Sequence, residues 1–124
     1  MNTNDGGVVK VKPYPFEASF ESAQQQKFVG EVLKLTLKGF IVDLKKTVVV
    51  VGRNYQVRFV LPTKRFPLEF TAKVIKTYDQ FRGKTESNKV DHLAEFHFVK
   101  PSEGNLTEIK SFLLKIGQIS RERL

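Results

Sequence analysis

Apolar residues at every second position, in run after run, constrain this chain more than any other feature. Phe16, Ala18 and Phe20 alternate with Glu17, Ser19 and Glu21. Tyr55, Val57, Phe59 and Leu61 alternate with Gln56 and Arg58, and Leu68, Phe70, Ala72 and Val74 with Glu69, Thr71 and Lys73. Ala94, Phe96 and Phe98 repeat the pattern within His92–Val99. A period of two places one side-chain set on each face of a strand. Strands with one apolar face must close over a shared core. Turn signals recurring about every eight to twelve residues predict a sandwich or barrel.

Weaker signals fill the gaps. Lys27–Leu35 reads as a strand with Val29, Leu33 and Leu35 on one face, Phe40–Leu44 as a third strand, and Val48–Val51 as a short fourth. The polar run Ala23–Gln26, Lys38-Gly39 and Gly52 supply breaks, because glycine tolerates positive φ. Pro62 and Pro67 bracket a loop carrying Lys64 and Arg65, and polar Arg82–Asp91 reads as a long hairpin loop. After Pro101 the period changes. Ser102 or Asn105 can cap a helix in which Leu106, Ile109, Phe112, Leu113, Ile116 and Ile119 form one apolar face. That face must bury itself on the sheet or on a partner subunit. The chain of 124 residues suits one domain. The expected layout is a flexible tail over 1–7 and a domain over 8–124, with a barrel at about 14–100 and a helix at about 104–121.

Several functions are disfavoured by residue content. There are no cysteines, so no disulfide, thiolate metal site or cysteine nucleophile forms. No apolar run approaches the ~20 residues of a membrane span, and the first residues lack a basic start and apolar stretch. A soluble cytoplasmic protein is expected. His92 and His97 project to opposite strand faces and make no metal pair. No carboxylate pair, nucleophile elbow or glycine-rich phosphate loop is present, which points to a non-enzymatic binding module. The net charge of +8, from 21 Lys+Arg against 13 Asp+Glu, favours anionic partners.

The segment Val29-Gly30-Glu31-Val32-Leu33-Lys34-Leu35-Thr36-Leu37-Lys38-Gly39-Phe40-Ile41-Val42 is followed by Val51-Gly52-Arg53-Asn54-Tyr55-Gln56-Val57-Arg58-Phe59-Val60-Leu61-Pro62. This order resembles the PilZ domain family. Those domains run strand, Asp-x-Ser-x-x-Gly signature, strand, glycine turn, a strand ending in Leu-Pro, a long hairpin and a C-terminal helix. The resemblance extends from about Val8 to Gly117, including Ala94-Glu95-Phe96-His97-Phe98 and the helix with Ile109 and Phe112. It implies a mainly β fold: a six-stranded antiparallel barrel with a C-terminal α-helix. It also implies reception of the bacterial second messenger cyclic di-GMP, with no other cofactor.

At the signature the chain has Lys34-Leu35-Thr36-Leu37-Lys38-Gly39. Gly39 matches, Thr36 keeps the hydroxyl, and Lys34 replaces the acid. A carboxylate accepts hydrogen bonds from a guanine edge, whereas an ammonium only donates. The family's upstream Arg-x-x-x-Arg motif is also altered. Lys12, with Lys10 beside it, stands where one arginine is expected, and Val8 where the other is. Lysine offers a point charge in place of a planar fork. The implied ligand set is therefore Lys10, Lys12, Lys34, Thr36, Lys38 and Gly39, with cyclic-di-GMP binding weak or lost. Action is then expected through protein contacts, with a partner in a motility or exopolysaccharide pathway. The protein itself is expected to be a monomer or weak dimer.

Two alternatives stand beside this reading. One is a genuine cyclic-di-GMP receptor with a lysine-adapted site. The other is a small basic barrel binding single-stranded nucleic acid, a less favoured partner, through Lys38-Gly39-Phe40-Ile41-Val42 with Phe40 as stacking platform. Arg53, Arg58, Lys64 and Arg65 are candidate partner-docking residues, expected as a basic strip near one end of the barrel.

Overall fold

In a computed structural model of the chain, residues 12–81 and 90–119 are described, without the Phe81 side chain. The expected tail, Lys10, segment 82–89 of the expected hairpin loop and the last residues of the expected helix lie outside them. Six strands form: β1 (Phe16–Ser22), β2 (Lys27–Leu35), β3 (Gly39–Asp43), β4 (Asn54–Val60), β5 (Pro67–Phe81) and β6 (Val90–Val99). One helix, α1 (Glu103–Lys115), follows. The strands close into a barrel in the order β1-β2-β3-β6-β5-β4, with every pair antiparallel. This is the expected fold class.

The alternating residues do what their period dictates. Ala18, Phe20, Tyr55, Val57, Phe59, Phe70, Ala72, Val74, Ala94 and Phe96 are buried in one core. Its centre is aromatic. Phe40 and Phe96 stack with centroids 5.2 Å apart, and Phe20 lies 5.1 Å from Phe96. Phe59 and Phe70 meet edge to face at 5.2 Å. Such ring pairs add to the transfer gain of each buried aromatic.

Three expectations fail for local reasons. Val48–Val51 is not a strand: Val49 alone is buried, and Val48 is 80% exposed. The chain there is taken up by turns, with Thr47 N–H on the Leu44 carbonyl and Arg53 N–H on the Val50 carbonyl. In β2 the buried residues are Gly30, Val32 and Leu35, not Val29 and Leu33. An irregularity between Val32 and Lys34 shifts the alternation by one position. The hairpin loop is also shorter than expected, because Val90 and Asp91 already pair in β6.

Helix α1 starts as expected, with the Ser102 hydroxyl accepting from Asn105 N–H at 3.0 Å. It stops at Lys115 rather than near 121. Gly117 takes a φ of 74°, the left-handed geometry that terminates helices. Ile109, Phe112 and Leu113 are buried in the chain's own core, so the apolar face settles on the barrel. It does so at one end, where Phe112 meets Tyr14 and Phe16 edge to face at 6.3 and 6.2 Å. That end gathers the start of β1, the β2–β3 turn, the β4–β5 loop and the end of β6, as the antiparallel order requires.

Tyr14 ties this end together. Its hydroxyl donates to Gln118 Oε1 at 2.8 Å and accepts from Leu35 N–H at 3.1 Å. Burial pushes the phenol above its usual pKa. Replacing Tyr14 with phenylalanine strands the Leu35 N–H, and a loss of about 1–3 kcal/mol is expected. A lowered urea midpoint at unchanged slope is the measurement that checks it.

Candidate functional site

The β2–β3 turn is held by its own side chain. Thr36 N–H donates to the Gly39 carbonyl at 2.8 Å. The Thr36 hydroxyl donates to the same carbonyl at 3.2 Å and accepts from Lys38 N–H at 3.1 Å and Gly39 N–H at 3.2 Å. A hydroxyl has one proton and two lone pairs, so the turn uses all three. Thr36 is thereby a turn-forming residue with nothing left for a ligand.

Gly39 is there for space. A Cβ at this position would sit 1.8 Å from the Phe96 carbonyl oxygen and 2.8 Å from His97 Cα. Only glycine lets β3 approach β6 this closely. The two residues that match the family signature best are thus explained by the scaffold.

The charged residues define a cavity of about 190 Å³ lined by Lys34, Thr36, Lys38, Gly39, Phe40, Ile41, Glu95 and His97. Register explains the grouping. Lys34 on β2 faces Ile41 on β3, Ile41 faces Glu95 on β6, and Glu95 faces Lys76 on β5. With strands ~4.8 Å apart, Lys34 and Glu95 lie roughly 10 Å apart across Ile41. Gly39 faces His97 in the neighbouring row. Lys12 is exposed two residues before Tyr14, whose hydroxyl bonds Leu35 at the end of β2, and it does not line the cavity.

Glu95 and His97 were missed by the sequence reading, which found no acceptor oxygen at the signature. The available signal was their alternation with Ala94, Phe96 and Phe98, which puts both on the outer face of β6. Glu95 Oε2 and His97 Nε2 are 2.7 Å apart. Lys76 Nζ lies 3.7 Å from Glu95 Oε1. The His97 hydrogen bond foremost, and then the Lys76 charge, hold the Glu95 carboxyl below its ordinary pKa against a burial effect that raises it. Glu95 is therefore an ionised acceptor at neutral pH. Among the described residues, neither Lys34 nor Lys38 has an ion-pair partner.

The four docking candidates do not share one end. Arg53 precedes β4, and Lys64 and Arg65 follow it. The seven residues of β4 span roughly 24 Å. Arg58 lies between and contacts Glu69 at 3.5 Å, while Lys64 pairs with Glu108 of α1 at 3.0 Å. Beside Arg65 stands an unforeseen feature, Phe66, 78% exposed on a short loop between Pro62 and Pro67. Phe40 is only 2% exposed, packed on Phe96, so no base can stack on it. The nucleic-acid alternative loses its platform.

No protein-family model matches the chain. No curated protein matches it by sequence. Solved structures do match by shape. The PilZ domain with c-di-GMP of YcgR from Escherichia coli aligns with a TM-score of 0.69 at 16% identity, over 88% of this chain and 86% of that one. The Bacillus subtilis inhibitor of motility, MotI/DgrA, aligns with a TM-score of 0.68 at 11% identity, over 89% of this chain and 50% of that one. YcgR in complex with c-di-GMP aligns at 0.68 with 15% identity, over 93% of this chain and 46% of that one. The chain spans about half the length of these last two proteins. The class defined by this likeness is one of fold: a barrel capped by a terminal helix, the PilZ-domain fold. Among the described residues, no helix is long and apolar enough to cross a membrane.

Proposed function

We propose that the chain is a non-enzymatic regulatory module of bacterial cyclic-di-GMP signalling, with weak affinity for the dinucleotide and output through protein contacts. The observation that carries this reading is the cavity beside the β2–β3 turn. Lysines stand on it at Lys34 and Lys38, while Lys12 is not among its lining residues and Lys10 precedes Lys12 in sequence. Neither a guanidinium fork nor a spare hydroxyl is present among its lining residues. Ammonium groups attract phosphate but do not grip it in two places. The cavity's about 190 Å³ is also below the ~300–1,000 Å³ usual for small-molecule sites.

Support for protein contacts comes from the β4–β5 loop. An exposed phenylalanine flanked by arginine has the composition of an interface anchor. Phe66 and Arg65, with Lys64 beside them, suit a partner with acidic and apolar surface, such as one in motility or exopolysaccharide export. The neighbours named for c-di-GMP and for inhibition of motility are compatible with this assignment.

Calorimetry with cyclic di-GMP tests the affinity directly. A Kd of about 0.1 mM or weaker is expected, roughly −5.5 kcal/mol of binding. Sub-micromolar one-to-one binding would replace this reading with a lysine-adapted receptor.

A further inference from the structure

The signature position that carries an acid in the PilZ pattern carries Lys34 here, yet the cavity is not without an acceptor. Glu95 reaches it from β6, two strands away in the register through Ile41. We infer that Glu95 is the base-selecting residue of this pocket, accepting the paired N–H donors of a guanine edge while Lys34 and Lys38 face phosphate. The inference rests on the cavity retaining the weak nucleotide affinity proposed above.

Three observations carry it. First, placement: Glu95 shares the outer wall with Lys34 and Lys38, and its side chain is 29% exposed, open to a ligand while fixed by neighbours. Second, capacity: Oε2 is engaged by His97 at 2.7 Å, and Oε1 is flanked by Lys76 Nζ at 3.7 Å. A carboxylate has about four lone-pair positions, so acceptor capacity remains on both oxygens. Third, electrostatics: the carboxylate is paired on its β5 side and held ionised, so it stays acceptor-only at neutral pH. Guanine offers an imino N–H and an amino group side by side. Adenine offers one amino group next to a bare ring nitrogen, whose lone pair repels a carboxylate. Lys34 and Lys38 beside it attract the phosphates of either nucleotide without choosing the base.

Amide chemical-shift titrations of the whole chain with cyclic di-GMP and cyclic di-AMP test the assignment. The wild-type protein is expected to bind the guanine nucleotide several-fold more tightly. Glu95→Gln keeps the shape and removes the charge. It is expected to weaken cyclic di-GMP several-fold and leave cyclic di-AMP no weaker, abolishing the preference. Lys34→Gln is expected to weaken both nucleotides alike. Dispersed spectra of each variant report the fold in the same samples. A guanine preference that persists in Glu95→Gln would overturn the inference while leaving weak nucleotide binding standing. No shifts with either nucleotide at millimolar concentration in the wild-type protein would overturn the inference and silence the pocket, leaving only the protein-contact half of the reading.

Discussion

Replacing Gly39 with alanine is expected to cost more than about 4 kcal/mol, most of the stability of a domain near the ~5 kcal/mol lower end of the ordinary range. The new methyl would lie 1.8 Å from the Phe96 carbonyl oxygen, and that atom is backbone. No rotamer change relieves the clash. The strands must separate instead, and β3 is held only by β2 and β6. Losing the β3–β6 seam opens the barrel and exposes the aromatic centre. Thermal and urea unfolding followed by circular dichroism measure the effect. A variant within about 1 kcal/mol of wild type would mean that the close approach of the two strands is not a constraint.

Phe96→Ala is expected to cost about 3–5 kcal/mol. Phe96 has no solvent exposure and touches the rings of Phe20, Phe40 and Tyr55 from three strands. Its removal leaves a cavity that those rings cannot all fill, because each is fixed by the barrel register. Phe66→Ala supplies the contrast: its ring is in solvent, and a change within ±0.5 kcal/mol is expected. Equal losses at the two positions, read from urea midpoints at constant slope, would contradict the placement of the core.

The barrel was legible because four of its strands carry a plain apolar face, and a side chain's face follows from its position in the alternation. Tyr55, Val57 and Phe59 needed no more than that. Legibility failed where alternation is locally broken or absent. The irregularity at Val32–Lys34 lets Gly30, Val32 and Leu35 all face inward, so the expected face holds at Leu35 and fails at Val29 and Leu33, and nothing in the composition of that segment marks it. The valine run at 48–51 has strong β propensity but no partner strand, and propensity is overridden when no edge is available.

The lining of the candidate cavity was legible in one half only. Lys34, Thr36, Lys38 and Gly39 are contiguous, so their grouping is a local property of one turn. Glu95 and His97 join them because β6 pairs with β3 across some 50 intervening residues, a consequence of barrel closure. A reading by position in a linear motif cannot see a carboxylate arriving at the same cavity from another strand. The same reasoning separates Arg53 from Lys64 and Arg65. A strand between two charges in sequence is a rod between them in space.

Titrating isotope-labelled protein with the cyclic guanine dinucleotide, peak by peak, addresses the central claim most directly. The account predicts small, fast-exchange displacements at residues 34–41 and 95–97 that are still growing at high-micromolar ligand, while the amides of β1 and β4, on the other side of the barrel, stay put. Slow exchange with saturation at one equivalent in low-micromolar solution would contradict it, because point-charge ammoniums around so small a cavity do not supply that much grip.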